Sequence, residues 1–277
     1  SAQLVGLEWR NPLEGQSNQD IHPRFFEMLN LDSPSNNAFA QPFDVTDAHH
    51  AYGLTRANNA FYSIARQSPL GPVNLFRYDD ATGIFTTIGD TGLAGTGDAR
   101  MTRGGLAYHA ASDTFYALST TFDNQVSLHT LDAVTGAASL VGNVAVGSGS
   151  DIAFDGAGNL YLVESRGNAT NGLLHTIDIA NANVLTTITL SEAFGPTEAG
   201  LAINRRTGEA FLGEVGSGED LFEINLTTGS LTVRGDFTDL LMNGGNMAGP
   251  AGLAFIPAPG AGALALISCA FAARRRR

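Results

Sequence analysis

Short apolar runs separated by polar turns recur along the chain, and one complete unit spans residues 105–144. The four runs of this unit, each as long as a short β-strand, occupy residues 105–108, 114–118, 127–131 and 138–141. The last turn begins at Asp132 and ends at Gly136. An Asp carboxylate can accept backbone N–H groups two or three residues on, and Gly tolerates the positive φ that closes such a turn. The pattern therefore predicts four short strands joined by three turns.

The same turn returns along the sequence at nearly regular intervals. Its successive first residues are 47, 53, 46 and 47 positions apart. The turns begin at Asp32, Asp79, Asp132, Asp178 and Asn225. This period is typical of a four-stranded propeller blade. The sequence therefore predicts an all-β protein, a β-propeller with five four-stranded blades. Six or seven blades would require repeats that the sequence does not display.

The opening strand of each unit also repeats, and its last copy has no blade after it. The copies are centred on Gly53, Gly105, Asp151, Gly200 and Gly252, each followed by Leu or Ile. At the other end of the chain, residues 4–7 match a second strand, residues 25–31 a third and residues 38–43 a fourth. We expect the C-terminal strand to pair with this N-terminal blade, which closes the ring without an open edge.

These repeats divide the chain into a propeller body, residues 1–257, and a C-terminal segment, residues 258–277. The first blade combines residues 1–45 with 250–257, and the other four lie near residues 48–91, 100–144, 147–190 and 196–238.

The charge of the chain excludes two classes of partner. The net charge is −12, with 27 acidic residues against 15 Arg and no Lys. Such an acidic body would repel the phosphates of nucleic acids and of anionic lipids. The chain has one cysteine, Cys269, so no disulfide can form within it.

The C-terminal segment combines a Pro motif, an uncharged stretch and a basic cluster. Pro257 and Pro259 precede the uncharged residues 260–273, and Arg274, Arg275, Arg276 and Arg277 follow. This order resembles the PEP-CTERM sorting signal of bacterial exported proteins, although Ala258 stands where that family usually has Glu. The resemblance implies export, transient anchoring in the membrane and cleavage by an exosortase-like enzyme. The protein would then reside at the cell surface or outside the cell. The alternative is an apolar tail packed on the core.

Long connections predict which face of the propeller binds ligands. Second-to-third strand connections such as residues 10–24 and blade-to-blade connections such as residues 89–104 are long, and both kinds emerge on one face. Aligned repeats place polar residues at the channel mouth on that face. The predicted ligand-binding residues are His49, His50, Arg103, Asp151 and Glu198. The carboxylates predicted to bind a metal end the second strands, at Glu8, Glu164 and Glu214.

Convergent carboxylates suit Ca²⁺, and His50 would extend the choice to Zn²⁺ or Mn²⁺. The alternative is that each Glu points to water or pairs with a nearby Arg. The hairpin at residues 155–161, with the sequence Asp-Gly-Ala-Gly-Asn-Leu-Tyr, resembles NHL-type and gluconolactonase-like propellers. The resemblance implies a divalent metal at the channel mouth, in a region comparable to that of Glu164, Glu198 and Glu214. Those propellers have six blades, one more than the repeats predict here.

Two functional classes remain open from the sequence. The favoured class is an exported, non-enzymatic propeller that binds a glycan or protein at the cell surface or in the extracellular matrix. The alternative is a metal-dependent hydrolase of a small lactone or ester. Neither a Gly-x-Ser-x-Gly elbow nor a His-Glu-x-x-His motif is present in the sequence.

Overall fold

A computed structural model describes residues 3–10, 24–28, 50–66, 71–79, 82–95, 101–166, 170–193, 199–214, 220–236 and 247–256. All regular structure in these ranges is β-strand. The first ten strands, in chain order, are β1 Gln3–Arg10, β2 Arg24–Met28, β3 His50–Ala57, β4 Ala60–Arg66, β5 Val73–Asp79, β6 Ile84–Asp90, β7 Met101–His109, β8 Thr114–Thr121, β9 Val126–Leu131 and β10 Ala138–Asn143. The others are β11 Gly149–Phe154, β12 Leu160–Glu164, β13 Leu173–Ile177, β14 Val184–Thr189, β15 Ala199–Ile203, β16 Ala210–Glu214, β17 Asp220–Ile224, β18 Leu231–Asp236 and β19 Met247–Ile256.

The strands form five antiparallel sheets, which confirms the predicted propeller. Four sheets have four strands each, in the orders β3-β4-β5-β6, β7-β8-β9-β10, β11-β12-β13-β14 and β15-β16-β17-β18. The fifth sheet has the order β19-β1-β2. Its predicted fourth strand, residues 38–43, falls in a part of the chain that the structure leaves undescribed.

The two ends of the chain close the ring. Strand β19 pairs antiparallel with β1, with Val5 opposite Ala254 and Gly6 opposite Leu253. The inner strands contact one another in the circular order β19, β3, β7, β11, β15 and again β19. The predicted closure is therefore confirmed, and every inner strand has a neighbour on both sides.

The predicted turns have the chemistry that their sequence suggests. Asp132 Oδ1 accepts the backbone N–H groups of Val134 at 2.9 Å and Thr135 at 2.7 Å. The N–H of Gly136, whose φ is 82°, donates to the Asp132 carbonyl at 2.8 Å. Hydrogen bonds from the Thr135 and Val134 backbones lower the pKa of Asp132. In the copy that begins at Asp178, Ala182 takes the left-handed conformation at φ 63°.

Each apolar cluster of the core joins two neighbouring blades. One cluster packs Leu118 and Leu128 of the third blade against Ile152 and Leu162 of the fourth, and all four side chains are fully buried. Similar clusters join the first blade to the second, the second to the third, and the fourth to the fifth. Because both faces of the inner strands are covered, their residues are buried without alternation, as in β11, where all six residues are buried.

Glycines on the inner strands allow the backbones of neighbouring blades to touch. A Cβ added at Gly53 would lie 2.8 Å from the Gly105 Cα, and one at Gly252 would lie 2.6 Å from the Gly53 carbonyl carbon. A Cβ at Gly105 would lie 2.7 Å from the Ile152 nitrogen. Any side chain at these positions would force the blades apart, which explains the repeated glycine.

We expect Gly53→Ala to destabilise the protein more than Gly92→Ala. The two glycines have nearly equal φ, 71° and 73°, so both substitutions incur a left-handed backbone penalty of about 1–2 kcal/mol. Only Gly53 is crowded, because a Cβ at Gly92 has nothing within 4 Å. Overpacking should add about 1–3 kcal/mol at Gly53 alone. Urea unfolding of both variants measures the difference, and equal losses would contradict close backbone packing.

Candidate functional site

The strand register places the ends of the five second strands, where the metal-binding carboxylates are predicted, at equivalent positions. Glu164 ends β12 opposite Gly149, and Glu214 ends β16 opposite Ala199. Ser119 lies opposite Gly104 in the third blade, and Ala65 lies opposite Ala51 in the second. Glu8 lies opposite Pro250 in the first. All five positions follow, by two residues, the partner of the Leu or Ile that repeats on the inner strand.

Asp151 stands where the other blades have the inner-strand glycine, and its carboxylate is completely buried. Its Oδ1 accepts the N–H of Ile152, and its Oδ2 accepts the N–H of Leu201 on the next blade, both at 2.8 Å. The carboxylate thus joins β11 to β15 by a hydrogen bond. This gives Asp151 a role in the fold, and ligand binding by Asp151 stays a prediction.

Glu164 forms a buried chain of polar groups within its own blade. Its Oε2 lies 2.9 Å from His175 Nε2, and His175 Nδ1 lies 3.0 Å from Thr187 Oγ1. In the preceding blade the same place is taken by Ser119, whose Oγ lies 3.0 Å from His129 Nε2. Burial lowers the pKa of His129, because desolvation disfavours the charged imidazole. These two histidines therefore connect second to third strands.

Two arginines near the ends of these strands differ in burial and in their hydrogen-bond partners. Arg103 is half-buried and its guanidinium donates to Ser148 Oγ, which lies in the connection between the third and fourth blades. Arg66, which sequence reasoning did not select, is 3% exposed. Its guanidinium donates to the carbonyls of Gly71 at 3.1 Å, Ala94 at 3.2 Å and Met101 at 2.9 Å. Arg66 therefore secures the chain as it enters the third blade.

Several predicted site residues cannot be placed. His49, Glu198 and the sorting residues Pro257, Pro259, Arg274, Arg275, Arg276 and Arg277 lie outside the described residues. Only the backbone is described for Glu8 and His50. Among the side chains that the structure describes, no group of three or more His, Cys, Asp or Glu could hold a metal ion. A metal bound by Glu8, Glu164 and Glu214 stays a prediction. Within the described ranges, no helix is long and apolar enough to cross a membrane.

A cavity of about 160 Å³ opens at the opposite mouth of the channel, the one formed by first-to-second strand turns. The second halves of all five inner strands line it, together with Arg56, Arg205 and Arg206. Arg205 lies over the Tyr108 ring, with its guanidinium carbon 5.7 Å from the ring centre. Desolvation lowers the pKa of Arg205, although part of the side chain is exposed. Tyr108 donates its hydroxyl to Asp113 at 2.5 Å, and this bond raises the pKa of Tyr108.

The fold and the two channel mouths define a ring-closed, five-sheet β-propeller. Its residues 104–268 match the family described as a repeat of unknown function, DUF6923. The chain belongs to this family. The matched region begins on β7 and extends past the closing strand β19, so it contains the last three blades.

No curated protein matches the chain in sequence. A GH43 β-1,3-galactosidase superposes with a TM-score of 0.52 at 16% identity, over 69% of this chain and 46% of its own. A putative exo-β-1,3-galactanase from Bifidobacterium bifidum superposes with a TM-score of 0.50 at 13% identity, over 66% and 70%. A structural genomics protein of unknown function from Bacteroides thetaiotaomicron superposes with a TM-score of 0.47 at 13% identity, over 83% of this chain and 64% of its own. The chain thus spans less than half of the galactosidase. At these identities the similarity shows the fold alone.

We expect Asp151→Asn to destabilise the protein by roughly 2–3 kcal/mol, because an amide presents one acceptor and one donor to two buried N–H donors. The matched control is Asp178→Asn, in a turn where Oδ1 accepts the Ala180 N–H at 2.9 Å near solvent. This control should lose less than about 1 kcal/mol. Urea unfolding at neutral pH compares the two variants, and equal stability losses would contradict a special role for the buried carboxylate.

Proposed function

We propose that this protein is an exported, non-enzymatic propeller that binds a neutral glycan at the long-loop mouth. The observation that carries the proposal is an exposed aromatic residue on the long-loop side of the blade that contains Arg103. Phe122, 60% exposed, directly follows β8, and β8 places Thr120 opposite Arg103. The Arg103 guanidinium donates a hydrogen bond to Ser148, which lies in the connection between the third and fourth blades. An aromatic face with a few placed polar groups is typical of small-molecule and sugar binding.

The hydrogen bonds of Asp151 and Glu164 support the non-enzymatic part of the proposal. Both oxygens of Asp151 accept backbone N–H groups, and Glu164 is bonded to His175. Carboxylates used in this way stabilise the ring and have less freedom to act on a substrate. The glycan class is supported by the galactosidase and galactanase whose structures share the fold. We propose the same class of ligand for this chain.

The proposal predicts that Phe122→Ala weakens glycan binding at least tenfold, because the sugar loses the aromatic face. The full-length protein would be tested on immobilised neutral polysaccharides, including a β-1,3-galactan, by surface plasmon resonance. Leu140→Ala is the matched control, since Leu140 is 63% exposed but lies on the outer strand β10. This control should bind like the unmodified protein.

Three results would overturn the proposed function. The first is no retention on any glycan, with binding only to a protein partner. The second is an equal loss of binding for Phe122→Ala and Leu140→Ala. The third is tight binding of Ca²⁺ or Zn²⁺ accompanied by hydrolysis of a lactone or ester, which would establish the hydrolase class instead.

Export through the C-terminal segment is part of the same proposal. It is supported by the order of the Pro motif, the uncharged stretch and the basic cluster in residues 257–277. We expect an exosortase-like enzyme to cleave near residues 257–260 after transient insertion of the segment in the membrane. The released body would carry the glycan site to the cell surface or beyond.

Replacement of Arg274, Arg275, Arg276 and Arg277 by Ser should block this processing, because the basic cluster keeps the end of the segment on the cytoplasmic side. Mass spectrometry of protein recovered from the native host measures the C-terminus. The unmodified protein should end near residue 257, and the Ser variant should retain the segment. Unmodified chains that end at Arg277 in the soluble cytoplasm would contradict both cleavage and export.

A further inference from the structure

The cavity at the short-turn mouth has a charge opposite to that of the protein. Among the residues that the structure describes, its lining contains three of the 15 arginines of the chain, Arg56, Arg205 and Arg206, and no Asp or Glu. The chain as a whole has a net charge of −12. A local concentration of cations on an acidic body creates a focused positive potential, which attracts anions that the rest of the surface repels. Positive side chains at this mouth therefore favour a negatively charged ligand.

Arg205 reaches across the channel. It follows β15 in the fifth blade, yet its Nη1 donates to the Tyr108 carbonyl of the third blade at 3.4 Å. Its Nη2 donates to the Arg56 carbonyl of the second blade at 3.3 Å. Neither of these blades is adjacent to the fifth in the ring, so the side chain spans the mouth of the cavity.

The backbone around Arg205 is held in place on both sides. Asn204 is buried, and its Oδ1 accepts the N–H groups of Arg206 at 3.1 Å and Thr207 at 3.4 Å. From the fourth blade, Gly156 packs so closely that an added Cβ would lie 3.1 Å from the Arg205 carbonyl carbon. This glycine belongs to the hairpin of residues 155–161. The guanidinium is therefore presented from a fixed turn.

The hydrogen-bonding capacity of Arg205 is only partly used. A guanidinium has five N–H donors. Within the described part of the chain, Arg205 makes two hydrogen bonds, both long and both to neutral carbonyls. A carboxylate would accept two parallel N–H bonds from the same planar group, at about 2.7–2.9 Å and with roughly twice the strength of neutral bonds. A carboxylate can therefore compete for this group.

We propose that the short-turn mouth is a binding site for a small ligand with one carboxylate, whose body enters the cavity and whose carboxylate pairs with Arg205. The volume of about 160 Å³ holds a ligand about the size of benzoate or a single sugar acid. Inner-strand residues such as Leu54, Leu106 and Ile152 line the interior and suit a body that is apolar on at least one face. Arg56 and Arg206 add positive charge at the rim.

The experiment is isothermal titration of the full-length protein with benzoate, glucuronate and inorganic phosphate, each at matched ionic strength. At least one carboxylate should bind with a Kd of about 1 mM or tighter and raise the melting temperature. Arg205→Gln should weaken that binding at least tenfold, because the charge and the forked donors are both lost. Arg205→Lys keeps only the charge, so its affinity for the carboxylate should lie between those of the unmodified protein and Arg205→Gln.

Arg77→Gln is the control for the loss of one positive charge, since Arg77 is on β5, pairs with Asp79 and does not line the cavity. It should leave carboxylate binding unchanged. The assignment is overturned if no carboxylate binds, which would leave Arg205 as a structural strut. It is also overturned if phosphate binds more tightly than either carboxylate, or if Arg77→Gln weakens binding as much as Arg205→Gln. Binding to neutral glycans at the other mouth is measured in parallel and should not change in Arg205→Gln.

Discussion

Direct contact between the backbones of neighbouring inner strands is the constraint on which the rest of the structure depends. Gly53 packs on Gly105, Gly105 on the fourth blade and Gly252 on Gly53, each without room for a Cβ. Only a residue without a side chain permits this approach, so the glycines set how close the blades come and how narrow the channel is. The apolar clusters between blades can then form at native packing density.

At Asp151 the same position is filled by a side chain, and the blades are joined differently. The carboxylate lies between β11 and β15 and accepts an N–H from each strand. A buried carboxylate is stable only when hydrogen bonds replace its lost hydration. The ring therefore has close backbone contact at some of its junctions, and at this one a buried carboxylate that accepts an N–H group from each of the two strands.

Much of the fold could be predicted because local chemistry repeats with a period. The Asp132 and Asn225 turns and the incomplete first and last units are visible in the sequence, and together they imply blade number and closure.

The site could be predicted only in part. A Glu at the end of a second strand can face the channel or its neighbours. The residues near Glu164 in sequence do not indicate that His175, eleven residues away, is its partner. Loop length does not indicate the short-turn cavity, because the long loops lie on the other face. An available signal was the Arg205-Arg206 pair in a chain with few basic residues, held by an Asn204–Gly208 turn like those of the repeats.

The closely packed inner strands also lie between the two mouths and fix their relative positions. The cavity begins at Leu54, Leu106 and Ile152, immediately after the positions where Gly53, Gly105 and Asp151 bring the strands together. A ligand at the short-turn mouth therefore lies on the opposite side of these strand contacts from Arg103, which precedes Gly105 on β7. Communication between the mouths would require the blades to move apart, which would break the backbone contacts and the bond from Leu201 to Asp151. Because packed interfaces of this kind resist continuous deformation, the two mouths are expected to act as independent sites on one rigid ring.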